Sequence, residues 1–181
     1  MMNDKIHHLI DNQLFTKINI MTNFNKIQAF LYHEARCLDD KDWDAWLEHY
    51  HPDAPFWMPA WDDDDELITD PQSQISLIYY ANKSGIEDRV FRIKTERSSA
   101  SMPEPRTTHT ISNIEILEES QTEIKLRFNW NTLSFRYKIV DSYFGCSFYT
   151  LLKTGDSFLI TNKKVILKND YIRQVIDVYH I

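Results

Sequence analysis

The spacing of the apolar residues changes once along this chain of 181 residues, and this change limits the folds available to it. Near the start, apolar residues recur every three or four positions, at Phe24, Ile27, Leu31, Ala35 and Leu38. This spacing predicts an amphipathic helix. Later, apolar and polar residues alternate strictly between Glu123 and Trp130, which predicts a half-buried strand. Helices followed by strands indicate an α+β fold, with the helices packed on one face of a strongly curved, mainly antiparallel sheet.

A second helix is predicted after the first. Trp43, Trp46, Leu47 and Tyr50 have helical spacing. Either Asp39 or Asp40 can cap this helix, and Pro52 ends it.

The remaining elements follow from composition and from the positions of proline. A short aromatic strand is predicted around Phe56-Trp57-Met58. Residues 75–80 and 87–96 are compatible with either strand or helix, and helices are favoured for both. Further strands are expected at 107–118, 134–152, 157–168 and 171–181. Residues 1–21 are polar and rich in Asn, and we expect them to form a poorly ordered N-terminal extension of a single domain at 22–181.

The net charge of −7 is concentrated in one part of the chain. Residues 39–70 contain twelve acids and one base, so this stretch alone carries −11, whereas the rest is nearly balanced. An acidic chain lacks the basic face that nucleic acid requires. No apolar run is long enough to span a bilayer, and no signal-peptide pattern is present. Cys37 and Cys146 form no CxxC motif, so we expect free thiols in a cytoplasmic protein.

Metal and cofactor motifs are weak throughout. Neither cysteine has a His two residues on, so a Rieske-type iron–sulfur site is not expected in this chain. Residues 33–37 begin like HExxH but end in Cys37. His49 and His51 lie two apart, with no third ligand evident from the sequence. We therefore predict no metal or cofactor site in this chain, and no active site is evident from its motifs.

Five scattered polar residues leave an enzymatic alternative open. A cone of helices on a curved sheet can hold a pocket, and small isomerases or dehydratases of that shape use Asp, His and Tyr inside it. The candidates here are Tyr32, His33, Asp53, His109 and Tyr149. Each is more often structural. A closed pocket holding a hydrogen-bonded Asp–His or Tyr–His pair would favour this alternative.

The run Asp62–Asp65 allows two interpretations. Four adjacent carboxylates are usually a solvated loop. However, the preceding residues, Phe56 to Trp61, are mostly large and apolar, and aromatic groups beside one sign of charge suit a protein interface.

Several segments, taken together, resemble the small (beta) subunits of aromatic-ring-hydroxylating dioxygenases of the benzoate and anthranilate 1,2-dioxygenase type. The segments are residues 30–36 (FLYHEAR), 43–47 (WDAWL), 56–65 (FWMPAWDDDD), 87–95 (EDRVFRIKT) and 163–170 (KKVILKND). The similarity extends over about residues 24–181.

This resemblance implies a cone like that of nuclear transport factor 2, also called cystatin-like. It implies a non-catalytic small subunit that supports a catalytic large (alpha) subunit, usually in a hexamer of three large and three small subunits. The Rieske [2Fe-2S] cluster and mononuclear Fe(II) are expected in the large subunit, with electrons from an NADH-dependent reductase. The complex would cis-dihydroxylate an aromatic acid.

On this interpretation, the interface candidates are Trp57, Trp61, Asp62, Asp63, Asp64, Asp65, Arg89, Arg92, Lys94 and Arg97. The alternative is that the four aspartates pair with these same bases inside the chain.

Overall fold

The computed structural model describes residues 23–95 and 102–181, which form a helical layer and a sheet. Helix α1 covers residues 23–40, and helices α2 and α3 span Trp43–Glu48 and Lys83–Lys94. The strands are β1 (Phe56–Pro59), β2 (Ser76–Tyr80), β3 (Arg106–Glu119), β4 (Glu123–Arg136), β5 (Ile139–Thr154) and β6 (Ser157–Leu167). A 3₁₀ helix, Val178–His180, follows near the C-terminus.

The six strands form one sheet in the order β2-β1-β6-β5-β4-β3. Neighbouring strands are antiparallel except for β1 and β6, which are parallel. Along β4, Ile124, Leu126, Phe128 and Trp130 are buried, as the alternation predicts. They join a hydrophobic cluster with Leu31 of α1 and other residues of the helices. The predicted α+β architecture is confirmed.

Gly145 permits a close approach between β5 and β6. A Cβ atom at this position would lie 1.9 Å from the carbonyl oxygen of Ile166 and 3.2 Å from the indole ring of Trp130. Only glycine fits here without displacing backbone, because any other side chain would overlap the neighbouring strand.

The predicted helix at 75–80 is wrong, because Ser76–Tyr80 is strand β2. It pairs with β1 in antiparallel register, with Ile78 opposite Met58 and Tyr80 opposite Phe56. The apolar run is short, and periodicity alone does not separate a short buried strand from a helix. The neighbouring helix prediction is confirmed by α3, which begins four residues earlier than expected.

The strand predicted at 171–181 is also wrong. This segment is irregular except for the 3₁₀ helix, although Val178, Tyr179 and His180 are buried. Asp177 caps the 3₁₀ helix: its carboxylate accepts a hydrogen bond from the Val178 N–H, and its own N–H donates to His180 Nδ1. The exposed edges of the sheet are β2 and β3, so no strand edge is open beside β6, which this segment follows.

Two boundaries differ from the sequence prediction. Asp42, rather than Asp39 or Asp40, caps α2, because its side chain accepts a hydrogen bond from the Ala45 N–H. The β-rich stretch 134–152 is divided by a turn at Tyr137 and Lys138, both with positive φ, which separates β4 from β5.

Two predictions fall outside the described residues: the N-terminal extension at 1–21 and the interface candidate Arg97. Among the described helices, none has both the length and the apolar character required to cross a membrane.

Candidate functional site

The centre of the fold holds a buried ion pair between Glu34 of α1 and Lys163 of β6. Lys163 Nζ lies 3.0 Å from Glu34 Oε1, and both side chains are almost completely buried. The same oxygen accepts hydrogen bonds from Trp46 Nε1 at 2.9 Å and Tyr50 Oη at 3.1 Å. One carboxylate oxygen therefore joins α1, the region of α2 and the sheet.

Aromatic rings surround the Lys163 ammonium group. Tyr149 lies directly opposite Lys163 in the β5–β6 register, and its ring centroid is 5.2 Å from Nζ. Phe56 lies beside Lys163 in the β1–β6 register, with its centroid 4.8 Å away. These contacts stabilise a buried cation through the ring quadrupoles.

Burial and charge act in opposite directions on this pair. Burial alone would raise the pKa of Glu34, but the Lys163 charge and hydrogen bond outweigh it, and the pKa is lowered. Burial lowers the pKa of Lys163, and Glu34 opposes this shift. The lowered pKa of Glu34 favours its charged form, whereas the lowered pKa of Lys163 favours its neutral form. The hydrogen bonds from Trp46 and Tyr50 favour the ionised pair, because each donates to the charged carboxylate.

A second polar pair lies at the end of α1. His109 Nδ1 is 2.6 Å from Asp39 Oδ1, and the His109 backbone N–H donates to Asp39 Oδ2 at 2.9 Å. Thr107 Oγ1 also donates to this carboxylate. The pair lines a 310 Å³ groove together with the exposed side chain of Tyr32.

The structure thus brings Tyr32 and His109 to one groove, although their sequence spacing gives no sign of it. The sequence analysis missed Asp39 as their neighbour. The other polar candidates lie apart from this groove: Tyr149 is in the core and Asp53 is exposed in a turn. His33 contacts Cys37 and His49 instead.

The acidic loop, defined as Asp62–Asp65, is exposed. The Asp62 carboxylate accepts from the Asp63 N–H, and Asp65 has a φ of 60°. Trp61, beside the loop, is 44% exposed and donates through Nε1 to the Leu167 carbonyl at 2.6 Å. A 420 Å³ groove lies between Trp61 and Asp65 on one side and residues 168–170 on the other.

The basic candidates pair outside the acidic loop. Arg89 is paired with Asp177, with Nε 2.9 Å from Oδ1. Arg92 pairs with Asp88, and Lys94 pairs with Asp44 at 2.9 Å. Internal ion pairing of the four aspartates with Arg89, Arg92 and Lys94 is therefore wrong, whereas Arg97, the fourth base, lies outside the described residues.

The sequence analysis missed an exposed apolar patch on β4 and β5. Leu133, Phe135, Val140 and Phe144 are exposed, and Phe135 lies opposite Val140 in the strand register. Arg106 lies over the Phe135 ring at 4.7 Å. The alternation of β4 could have revealed part of this patch, because it places Leu133 and Phe135 on the outer face, after a run of polar residues.

The described residues do not fit the iron centres of a Rieske oxygenase. Cys37 on α1 and Cys146 on β5 are free and buried, and neither is followed two residues on by a His, so the Cys-x-His pairs of a Rieske site are missing. Among the described residues, the one group with close metal-ligand atoms is His33, Cys37 and His49. It lacks the carboxylate of a two-His, one-carboxylate iron site.

Comparison with known proteins decides the family. The sequence model described as "Ring hydroxylating beta subunit" matches residues 33–174. The chain belongs to this family. It is thus a small subunit of an aromatic-ring dioxygenase complex.

Individual relatives are similar in sequence to this chain over nearly their whole length. The toluate 1,2-dioxygenase subunit beta of Pseudomonas putida is 65% identical over 159 residues, covering 88% of this chain and 98% of that protein. The benzoate 1,2-dioxygenase subunit beta of Acinetobacter baylyi is 61% identical over 159 residues, covering 88% and 94%. The crystal structure of the beta subunit of benzoate 1,2-dioxygenase from Burkholderia mallei has a TM-score of 0.72 and 57% identity, covering 86% of this chain and 95% of that chain. The predicted cone-shaped fold is confirmed.

We predict that Lys163→Met destabilises this small subunit by about 3–5 kcal/mol, because it leaves the Glu34 carboxylate buried without a cation. The double variant Glu34→Gln with Lys163→Met should be less destabilised than Lys163→Met alone, since neither charge is then left buried. Urea unfolding of the three proteins measures both effects. Lys26→Met, which breaks the exposed Lys26–Asp156 pair, is the control and should change little. A double variant that is as unstable as Lys163→Met alone, or more so, would contradict this explanation.

Asp39→Asn tests the second polar pair through its pH dependence. Burial alone would raise the pKa of Asp39, but the hydrogen bonds and charge of His109 outweigh it and lower the pKa. A carboxyl whose folded pKa is lowered stabilises the fold above its unfolded pKa, and this stabilisation is lost as pH falls through the folded value. We expect the variant to lose about 1 kcal/mol at neutral pH, and the difference from wild type to shrink below about pH 4. Unfolding curves from pH 7 to pH 3 measure it; a difference that grows toward acid pH would be inconsistent.

Proposed function

We propose that this chain is a non-catalytic small subunit that supports assembly of the catalytic large subunit of a dioxygenase acting on an aromatic acid of the benzoate or anthranilate type. The identity of 65% and 61% to toluate and benzoate dioxygenase subunits is the observation that carries the proposal. The complex adds both oxygen atoms of dioxygen to the ring and yields a cis-diol. The chain's own buried polar centre supports a structural role, because its groups are bonded to one another.

The partner supplies the redox chemistry in this proposal. The large subunit holds the Rieske [2Fe-2S] cluster and the mononuclear Fe(II), and an NADH-dependent reductase delivers electrons to it. Three large and three small subunits form the hexamer, in the cytoplasm. The poor fit of Cys37 and Cys146 to a Rieske site supports this division of labour.

The acidic loop and Trp61 form the proposed contact with the large subunit. The four carboxylates are exposed and make no salt bridge within the described part of the chain, so their charge is available to a basic partner surface. Trp61 adds a large ring whose Nε1 is already bonded to Leu167, which fixes its position. Charged rims of this kind set the register and choice of partner.

The other interface candidates differ in how accessible they are. The Trp57 ring is half-buried beneath Lys164 Nζ at 4.5 Å, and it supports the strand that leads into the acidic loop. Arg92 and Lys94 are exposed on α3 and are further proposed contact residues. Arg89 contributes by holding α3 against Asp177.

The exposed apolar patch on β4 and β5 is the second proposed contact with the large subunit. Apolar side chains exposed together on adjacent strands are typical of interaction sites rather than of free surfaces. Leu133, Phe135 and Val140 line a single groove of 400 Å³ with Arg106 at its edge.

A stand-alone isomerase or dehydratase is the alternative function, and one observation favours it. The hydrogen-bonded Asp39–His109 pair is the kind of acid–base pair that such enzymes need. However, the groove beside it includes the exposed Tyr32 and Arg36, and a reacting group there would remain in contact with water. The assembly function therefore explains more of the molecule.

Asp62→Ala combined with Asp64→Ala tests the proposed contact. We expect the variant to keep the unfolding midpoint of wild type and to bind the large subunit about tenfold more weakly, because two rim charges are lost. Size-exclusion chromatography with mass determination, over a range of concentrations, measures assembly. Glu118→Ala with Glu123→Ala removes two acids elsewhere on the surface and should leave assembly unchanged. Equal assembly of the loop variant and wild type would overturn the assignment of this loop.

A further inference from the structure

Three potential metal ligands converge between α1 and the end of α2. His33 Nδ1 lies 2.9 Å from His49 Nε2, and Cys37 Sγ lies 3.9 Å from His33 Nδ1. All three ligand atoms lie within 4.8 Å of one another. Cys37 and His49 are buried, whereas His33 is exposed, so the cluster is reached from the surface.

Local geometry explains why the three side chains meet. His33 and Cys37 are four residues apart on α1, so they occupy the same face of the helix, one turn apart. His49 is the C-cap residue of α2. Asp42 caps the start of α2 after a tight turn, which brings the end of this short helix back beside α1.

His49 is held in the tautomer that a metal ligand needs. Its Nδ1 lies 3.1 Å from the Trp46 carbonyl oxygen, which can only accept, so Nδ1 carries the proton. Nε2 then presents its lone pair to the cluster. A ring nitrogen that donates to a backbone carbonyl is the usual outer-shell arrangement of a metal-bound His. The Phe30 ring packs edge-on against His49 at 5.1 Å and further fixes its orientation.

We propose that His33 Nδ1, Cys37 Sγ and His49 Nε2 together bind one Zn²⁺ ion. Tetrahedral zinc with ordinary bond lengths places two nitrogen ligands ~3.4 Å apart and a nitrogen and a sulfur ligand ~3.6 Å apart. The present nitrogen–nitrogen separation of 2.9 Å is ~0.5 Å shorter than the first value, and the nitrogen–sulfur separation of 3.9 Å is ~0.3 Å longer than the second, so small side-chain rotations complete the geometry. Two imidazoles and a thiolate also suit zinc chemically.

Binding exchanges one set of interactions for another. The hydrogen bond from His33 to His49 is replaced by two metal–nitrogen bonds, and the His33 proton moves to its other ring nitrogen. The Cys37 thiol releases its proton to solvent, and the sulfur binds as thiolate.

The fourth coordination position faces a groove of 440 Å³. His33 and His49 line this groove together with Glu48, whose carboxylate favours a cation nearby, and with the Lys26–Asp156 ion pair. Three protein ligands with an open fourth position allow a water molecule or a small ligand to bind the zinc.

Zinc and cobalt binding to the full-length chain, prepared without a polyhistidine tag, tests the proposal. Dialysis against Zn²⁺ followed by metal analysis should give one ion per chain. Co²⁺ in place of Zn²⁺ should produce a sulfur-to-cobalt charge-transfer band in the near ultraviolet, because only a thiolate ligand gives it. Wild-type protein without this band would overturn the site, whatever the variants do.

Matched variants locate the ion. Cys37→Ser, His33→Gln and His49→Gln should each weaken zinc binding more than about 100-fold, since even an outer-shell partner is worth 10- to 100-fold. Cys146→Ser, His51→Gln and the pair His7→Gln with His8→Gln should bind as wild type does. Equal zinc affinity in Cys37→Ser and wild type, or an equal loss in the control variants, would overturn the proposal. Circular dichroism confirms that each variant is folded.

Discussion

The buried pair between Glu34 and Lys163 is the interaction on which the arrangement of helices and sheet depends. Two charges taken out of water are strongly unfavourable unless each finds partners. Here, one carboxylate oxygen receives hydrogen bonds from Lys163, Trp46 and Tyr50. Because these donors come from β6, α2 and the residue that follows its cap, their common acceptor fixes how the helical layer sits on the sheet. In a cone-shaped fold, this interior is where an enzyme would place its reacting groups.

Because the buried polar groups are bonded to one another, we expect the functional groups of this chain to lie on its surface. The Tyr50 and Tyr149 hydroxyls remain neutral, because burial and then the charge of Glu34 raise the pKa of both well above the usual range. Burial likewise lowers the pKa of His180 to about 4, so this residue is uncharged at neutral pH. The charges without an internal partner among the described residues include those of the acidic loop. This distribution is what a subunit that works through its contacts requires.

The sequence predicted correctly those helices and strands whose type follows from the spacing of neighbouring apolar residues. The alternation from Glu123 to Trp130 predicted the inner face of β4, because a strand with one buried face leaves a period-two pattern. Whether the segments 75–80 and 171–181 form strands depends on a free edge of a neighbouring strand, and the spacing of residues within a segment does not show such an edge.

The same limit applied to the sites. Glu34 and Lys163 are 129 residues apart, and Asp39 and His109 are 70 apart. The spacing of His33 and Cys37 was visible, but the turn that brings His49 beside them was not.

The most direct test of the account is oxygen uptake that depends on an aromatic acid such as benzoate. It is measured with the purified chain alone, supplied with Fe(II), NADH and the reductase, and again after the large subunit is added. We expect no uptake by the chain alone, and uptake with formation of the cis-diol once the large subunit is present. Turnover by the chain alone would overturn the non-catalytic role, because the small subunit would then hold a catalytic centre of its own.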